Sequence, residues 1–356
     1  MQDLSKSYLE GAQSALPRRY GIKVGKTFLY GAPGVGKSAL ALLYSKGHKN
    51  TLYINCEDCR TDIESANAFI LKSYLERKLE LLIIDNYTPH ISLPNLNHII
   101  LIADSLTLCP EDFKPKHIRA LSFEEYVSFD NKNLSLHHLF NAFLKEGNLA
   151  KVALLPTYQK VLYKQDMLKL ALWNDFNLFC ALLPLQAQKF STHHIYTLLK
   201  KSHKISKDRI YPLLRSLQER GIIHFVPHIT NAHKKLYFYD FTLPLCVRIE
   251  KNLQAMLENM LLLELYHFCE RFNVSTEVSY GDMGEFVCAL GAFLFLPFAT
   301  NESIESKLTK LNAPYTSIFI ITFDFEGNGE IHAPQPLQWV AMSFINFALE
   351  FSIDLI

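Results

Sequence analysis

The stretch FLYGAPGVGKSALALLYSKG, residues 28–47, combines three local signals in one short run. Residues 26–30 are rich in β-forming side chains, residues 31–38 satisfy the spacing G-x-x-x-x-G-K-[ST], and helical apolar spacing then continues to a glycine. The glycines let the backbone curl so that successive N–H groups face one point, where the next helix begins with its positive dipole end. The sequence therefore predicts a strand, a phosphate-binding loop and a helix.

This loop supplies the residues that we expect to hold a nucleotide. In loops of this spacing the lysine, here Lys37, reaches the β- and γ-phosphates, and the hydroxyl of the following residue, here Ser38, is a ligand of Mg²⁺. We therefore expect ATP and Mg²⁺ as cofactors. The predicted nucleotide-binding residues are Gly31, Pro33, Gly34, Val35, Gly36, Lys37 and Ser38.

A second magnesium ligand is predicted at the end of another apolar run. Residues 79–85, LELLIID, have the composition of a strand that is buried on both faces, and they end at Asp85, which we interpret as the Walker B aspartate. Residues 50–58 and 98–105 supply further strand candidates. Four buried strands then alternate with helical segments, which predicts an α/β fold with the parallel sheet of a P-loop NTPase.

Hydrolysis of the nucleotide is less clearly encoded than its binding. The residue after Asp85 is Asn86, whose amide orients a water molecule but accepts no proton, so we expect slow or partner-dependent turnover. Glu57 and Asp58, at the end of the second strand, are alternative bases. Ser105, at the end of another strand, is either a sensor of the γ-phosphate or a turn residue. The predicted catalytic set is thus Asp85, Asn86 and Ser105.

Composition restricts the class of protein. A chain of 356 residues with 49% apolar and 20% charged residues is typical of a folded protein with two or three domains. Its longest apolar run, residues 286–299, is shorter than a bilayer crossing requires and is expected to be buried strand. The N-terminus lacks the pattern of a secretion signal, and seven scattered cysteines fit a reducing compartment, so we expect a cytoplasmic protein without membrane contact. The CxxC pair of Cys56 and Cys59 has no second half, which favours a structural role.

The order of motifs resembles that of the prokaryotic AAA-like ATPases that carry a C-terminal domain of unknown function. The resemblance rests on the phosphate-binding loop and on residues 120–129, ALSFEEYVSF. It implies lid helices after the ATPase core, then a winged helix and a restriction-endonuclease-like tail. In that family an acid follows the Walker B aspartate, whereas the residue at this position of the chain is Asn86. Its Gly-Arg pair, a candidate to act on a neighbouring subunit's nucleotide, is missing, and Lys114, Lys116 or Arg119 would have to replace it.

The middle of the chain has the plan of a winged helix-turn-helix. Residues 191–240 predict two helices, the second ending at Gly221, and then a hairpin of two strands. Residues 187–236 contain ten basic and two acidic side chains, which fits contact with double-stranded DNA. A protein-interaction spacer with a solvated basic face is the alternative. The predicted DNA-contacting residues are Lys207, Arg209, Arg215, Arg220, Lys234 and Lys235.

The tail is acidic, with fourteen acidic and five basic residues over residues 246–356. Its layout resembles a restriction-endonuclease core in which Glu285 stands at the first acid. The second acid and the lysine are missing from residues 296–300, LPFAT, so we expect a degenerate nuclease fold that serves as a platform for a protein partner or a second copy of the chain.

Together these observations predict an α/β P-loop NTPase domain, a winged helix and a small α+β domain, with boundaries at residues 1–163, 164–245 and 246–356. The expected function is Mg-ATP binding by an AAA-like protein whose nucleotide state repositions the other two domains. An ATP-tuned DNA-binding regulator and an ATP-stabilised scaffold without turnover are the alternatives.

Overall fold

The computed structural model of the chain describes residues 1–10, 15–202, 205–247, 252–311, 315–332 and 336–352. The chain divides into two compact units. The first unit consists of Met1–Ala120, Leu149–Lys151 and Arg215–Ile222. The second unit consists of Leu121–Asn148, Val152–Leu214 and Ile223–Ile356.

The first unit is built on a five-stranded parallel sheet. Its strands are β1 (Lys26–Tyr30), β2 (Thr51–Asn55), β3 (Leu81–Asp85), β4 (Ile99–Ile102) and β5 (Lys114–His117). Their order in the sheet is β2-β3-β4-β1-β5, and every neighbouring pair is parallel. All residues of β3 and β4 are buried, as expected of central strands in a parallel sheet.

Helices of the first unit are α1 (Gln2–Glu10), α2 (Lys37–Ser45) and α3 (Ile63–Leu75). Helix α2 follows β1 directly, and α3 begins after Asp62, whose side chain accepts a hydrogen bond from the N–H of Ser65. The four strands predicted from apolar runs are present. Strand β5 was not predicted, because its residues KPKH are polar, which suits an edge strand that pairs with β1 alone.

The strand order brings together the chain segments that carry the candidate site. Strand β4 lies between β1 and β3, so the loop after β1 and the residue at the end of β3 flank the end of β4. Ligands of open α/β sheets bind outside the carboxyl ends of the strands, which is where these three ends meet.

The second unit begins with helices and a small sheet. Its elements, in chain order, are α4 (Phe123–Ser128), α5 (Leu136–Glu146), α6 (Ala150–Leu154), α7 (Thr157–Leu172), α8 (Phe176–Leu182), β6 (Lys189–Phe190), α9 (Thr192–Ser202), α10 (Lys207–Glu219), β7 (Ile223–Pro227) and β8 (Lys234–Phe238). Helices α6 and α10 cross the division, so their residues belong partly to the first unit. Strands β6, β8 and β7 form an antiparallel sheet in that order. Pro212 lies inside α10.

The C-terminal elements of the second unit form a mixed sheet with flanking helices. They are α11 (Leu253–Arg271), β9 (Val278–Tyr280), β10 (Phe286–Cys288), β11 (Gly291–Phe295), α12 (Asn301–Leu308), β12 (Ser317–Thr322), β13 (Gly327–Ile331), β14 (Leu337–Ser343) and α13 (Phe344–Glu350). The sheet order is β13-β14-β12-β11-β10-β9. The apolar run of residues 286–299 forms two antiparallel strands, β10 and β11, instead of one. Among the described residues, no helix has both the length and the apolar character that a bilayer crossing requires.

Candidate nucleotide-binding site

The backbone of residues 31–36 adopts the curled conformation that the glycine spacing predicts. Gly31, Gly34 and Gly36 have φ angles of 143°, 75° and 97°, which side chains rarely permit. A Cβ atom on Gly31 would lie 2.3 Å from the carbonyl oxygen of Ile118. Helix α2 has Gly36 as its N-cap and no side chain caps it, so its first N–H groups are not satisfied by a capping side chain. A curled loop before an uncapped helix start fits a phosphate group.

Lys37 points back into this loop. Its Nζ donates hydrogen bonds to the carbonyl oxygens of Gly31 at 2.7 Å and Ala32 at 3.0 Å, and the residue is buried. It also binds Oδ1 of Asp104, which follows β4, at 2.8 Å. The ammonium group therefore lies at the mouth of the loop with a carboxylate as its counter-ion.

Asp104 has a second cationic partner. Its Oδ2 atom accepts a hydrogen bond from Nη2 of Arg220 at 2.7 Å. Burial acts to raise the pKa of the Asp104 carboxyl, but the positive charges of Lys37 and Arg220 outweigh it and hold the pKa below its usual value. Asp104 is thus ionised at neutral pH and bridges two cations.

The two predicted magnesium ligands, Ser38 and Asp85, lie near one tyrosine. Asp85 is buried at the end of β3, and its Oδ2 accepts a hydrogen bond from the Tyr53 hydroxyl at 2.5 Å. The side chain of Ser38 lies near the Tyr53 hydroxyl, where it acts to lower the pKa of that group. Burial and then the charge of Asp85 raise the pKa of Tyr53, which keeps the hydroxyl protonated. Ser38 and Asp85 therefore both lie near this hydroxyl, and a serine hydroxyl with a carboxylate is a donor set that fits Mg²⁺.

Asn86 and Ser105 make local contacts at two strand ends. Asn86 has a φ angle of 51°, and its Nδ2 donates to Oδ1 of Asn55 at 2.9 Å. The Ser105 hydroxyl accepts a hydrogen bond from the N–H of Thr107 at 3.3 Å, as a turn residue does. Asp104, not Ser105, is the residue at the end of β4 that contacts Lys37.

Glu57 and Asp58 have different surroundings. Although the Glu57 side chain is largely exposed, desolvation and the negative charges of Asp104 and Asp85 raise its pKa, with Arg220 acting in the opposite direction. Asp58 is bound by Arg60 at 2.6 Å and by the hydroxyl of Tyr8 at 2.5 Å, and the hydrogen bond from Arg60 lowers its pKa. Of the two acids, Glu57 is the one within electrostatic range of the carboxylates at the strand ends.

Further residues of the site were not predicted. Arg18 donates from Nη1 to the carbonyl oxygen of Val35 at 2.5 Å, which supports the loop from the N-terminal segment. Tyr53 was inside a predicted strand without an assigned role, and Arg220 was assigned to DNA. The proposed replacement Lys116 binds the carbonyl oxygen of Gly21 at 2.6 Å. The polar hydroxyl of Tyr53 within a buried strand was a signal that could have indicated its role in the site. No local sequence feature indicates that Arg220 belongs to the site.

The predicted DNA-contacting residues divide into exposed and buried ones. Lys207 and Lys234 are exposed, and the side chains of Arg209 and Arg215 are 52% and 82% exposed. Lys235 is buried, where it pairs with Glu258 at 2.5 Å and lies over the ring of Tyr280 at 4.9 Å.

Two of the predicted contacts therefore need correction. Lys235 faces the interior because its ammonium is neutralised by Glu258, so it is not placed to contact DNA. Arg220 is engaged with Asp104 and its side chain is 19% exposed, so it does not belong to an exposed basic surface.

The tail carries a buried acid with protein partners. Glu285 accepts hydrogen bonds from the N–H of Met283 and from the hydroxyl of Tyr315, both at 3.0 Å. Within the part of the chain that the structure describes, no three His, Cys, Asp or Glu side chains are grouped for a metal ion. Burial raises the pKa of the Cys56 thiol to about 11, so the CxxC pair holds no thiolate at Cys56 at neutral pH.

The parallel sheet, its strand order and the loop after β1 define the first unit as a P-loop NTPase α/β domain. No protein-family model matches the chain, and no curated protein matches it.

Among solved structures, the chain is similar to the Walker-type ATPase PABY2304 of Pyrococcus abyssi, with 14% identity over 70% of this chain and 96% of that one and a TM-score of 0.40. It is also similar to the STAND protein with a tetratricopeptide repeat sensor, PH0952, from Pyrococcus horikoshii, with 15% identity over 74% and 49% of the two chains and a TM-score of 0.30. The ORC1 protein of Aeropyrum pernix, solved in complex with DNA, has 15% identity over 71% and 92% and a TM-score of 0.31. Similarities this remote assign no function to the chain.

Proposed function

We propose that the chain is an AAA-like protein that binds Mg-ATP at residues 31–38 and hydrolyses it slowly or only with a partner. The observation that carries this proposal is the convergence of three features: a curled loop that admits only glycine at Gly31, Lys37 directed into its mouth, and Asp85 bound by Tyr53 with Ser38 nearby. A glycine-rich turn with no binding role would not be expected to have the buried carboxylate of Asp85 close to Ser38.

Each residue has a distinct proposed role. The N–H groups of the loop and Lys37 bind the phosphates, and Ser38 and Asp85 hold the metal, with Tyr53 orienting the Asp85 carboxylate. Bound Mg²⁺ supplies neutralisation of the charge that develops on the phosphates. Asn86, held by Asn55, orients water, and Glu57, which is within electrostatic range of Asp85 and Asp104, accepts its proton.

The experiment is a titration of the full chain with ATP, by calorimetry, at several Mg²⁺ concentrations. We expect saturable binding that requires Mg²⁺ and phosphate release that is slow in the protein alone. Absence of ATP binding to a chain that shows a cooperative thermal transition would contradict the proposal.

We also propose that residues 164–245 form a winged helix and residues 246–356 a degenerate nuclease-like domain, both repositioned by the nucleotide state. Two helices followed by the hairpin of β7 and β8, with β6 from before the helices completing the antiparallel sheet, support the first assignment. The hydrogen bonds that Met283 and Tyr315 donate to Glu285 support an inactive tail. Its acidic surface is then available to a protein partner or a second copy.

An ATP-tuned DNA-binding regulator is the second candidate, favoured by the exposed cations Lys207, Arg209, Arg215 and Lys234. Removal of a cation that neutralises one phosphate should lower the slope of log affinity against log salt by about 0.9. Retention of the chain on duplex DNA, measured across salt concentrations, should therefore show a shallower slope after Arg209→Ala with Lys234→Ala. The matched control is Lys72→Ala, an exposed lysine paired with Glu76 on α3. Equal slopes in all three proteins would exclude this candidate.

A further inference from the structure

One carboxylate in the first unit is shared by two cations that come from distant parts of the chain. Oδ1 of Asp104 binds Nζ of Lys37 at 2.8 Å, and Oδ2 binds Nη2 of Arg220 at 2.7 Å. Asp104 and Arg220 are 116 positions apart in sequence. Lys37 is the cation of the phosphate-binding loop. Asp104 therefore connects Arg220 to the residue that is expected to bind the phosphates.

The helix end before Gly221 fixes the position of Arg220. The N–H of Ile222 donates to the carbonyl oxygen of Leu217 at 2.8 Å, and the N–H of Gly221 donates to that of Gln218 at 2.9 Å. Gly221 has a φ angle of 67°, so α10 ends in the left-handed glycine cap that is common at helix C-termini. A Cβ atom on Gly221 would lie 3.2 Å from Nε2 of His117, which leaves little room for another residue. Arg220 is therefore held beside β5 by backbone geometry as well as by Asp104.

Two cations and two acids lie in this cluster. Lys37 and Arg220 contribute two positive charges against the single negative charge of Asp104, and Glu57 lies within electrostatic range of Asp104 and Arg220. An arginine so close to a phosphate-binding loop matches a phosphoryl group in geometry as well as in charge, because the guanidinium donates two parallel hydrogen bonds.

We propose that Arg220 recognises the γ-phosphate, with Asp104 holding its guanidinium in place when the loop carries no triphosphate. This inference rests on the proposed binding of ATP at residues 31–38. It assigns the arginine to the same chain as the loop, so no neighbouring subunit is needed to supply one. It also makes the end of α10 the element that distinguishes ATP from ADP. If ATP changes the affinity of α10 for another ligand by some factor, thermodynamic linkage requires that this ligand change the affinity for ATP by the same factor.

The test compares the affinities of the full chain for a non-hydrolysable ATP analogue and for ADP, both with Mg²⁺. The wild-type chain should prefer the triphosphate. Arg220→Ala should reduce that preference on the order of tenfold or more, since a hydrogen-bonded ion pair to phosphate is removed, while the affinity for ADP changes little. Arg77→Ala is the control, because Arg77 is an exposed arginine of the same unit. It should leave both affinities unchanged.

A second readout is the thermal midpoint, measured without and with nucleotide. Removal of the Arg220 charge breaks its pair with Asp104, so the thermal midpoint of the free protein should fall, and saturating ATP analogue should raise it less than in the wild type. Should Arg220→Ala not fold, Arg220→Gln keeps a hydrogen-bond donor for Asp104 without the charge and should show the same loss of preference. An unchanged ratio of the two affinities in either folded variant would overturn the inference while leaving nucleotide binding intact. A wild-type chain that binds neither nucleotide would instead overturn the proposed function.

Discussion

Substitution of Asp104 by asparagine should change stability and ATP affinity in opposite directions. The variant keeps the shape of the side chain but removes the negative charge that Lys37 and Arg220 share. Loss of one partner of a buried pair costs about 3–5 kcal/mol, whereas exposed pairs contribute about 0–1 kcal/mol. Because the Asp104 side chain is 36% exposed while its partners are 9% and 19% exposed, solvent screens the pair in part. We expect the free protein to lose about 1–2 kcal/mol.

ATP binding should become tighter in the same variant. The triphosphate competes with the Asp104 carboxylate for Lys37 and is repelled by it, so removal of that charge favours the nucleotide by about 1–2 kcal/mol, a factor of roughly 5–30. Calorimetric titration measures the affinity, and thermal unfolding without nucleotide measures the stability. The control is Asp112→Asn, since the exposed Asp112 pairs with Lys26 at 2.5 Å away from the loop.

The pH dependence follows from the lowered pKa of Asp104. A carboxyl whose pKa is lower in the folded than in the unfolded state stabilises the fold above its unfolded value, about 3.9, and loses that contribution as the pH falls through the folded value. The stability difference between the wild type and Asp104→Asn should therefore be full at pH 7 and shrink below about pH 4. Equal stability at pH 7, or weaker ATP binding by the variant, would refute the assigned role of Asp104.

Three other substitutions test separate parts of the site. Gly31→Ala should destabilise the first unit by several kcal/mol in urea unfolding, because its Cβ would lie 2.3 Å from the Ile118 carbonyl oxygen; a wild-type midpoint would show that the loop is not so confined. Tyr53→Phe removes the donor to Asp85 and should raise the Mg²⁺ concentration needed for ATP binding severalfold, and an unchanged Mg²⁺ titration would separate Tyr53 from the metal site. Glu57→Gln should lower phosphate release on the order of a hundredfold with ATP affinity unchanged, and equal rates would exclude Glu57 as the base.

The sequence was sufficient for the parts of the site that depend on local pattern. The loop of residues 31–38 is encoded by glycine spacing, and Asp85 is marked by the apolar run before it, so both were predicted from short segments. Strand β5 was missed because an edge strand needs no apolar residues. Its presence depends on pairing with β1, which its own residues KPKH do not reveal.

Contacts between distant segments explain the remaining differences. Arg220 and Lys235 were predicted to be surface cations because both lie in a strongly basic stretch of the sequence. Their partners, Asp104 and Glu258, lie 116 and 23 positions away, and no periodicity connects them. Arg215 is exposed, as its place in a basic stretch suggests, but charge composition does not show which individual cations are neutralised inside the fold.

The central claim is that residues 31–38 bind a triphosphate through Lys37, and one comparison tests it most directly. Affinity for Mg-ATP should be measured by calorimetry in the wild type, in Lys37→Ala and in Lys46→Ala, an exposed lysine at the end of the same helix. The account predicts saturable binding in the wild type and in Lys46→Ala, with a loss on the order of a hundredfold in Lys37→Ala. Equal affinity in all three proteins, each with a cooperative thermal transition, would contradict it.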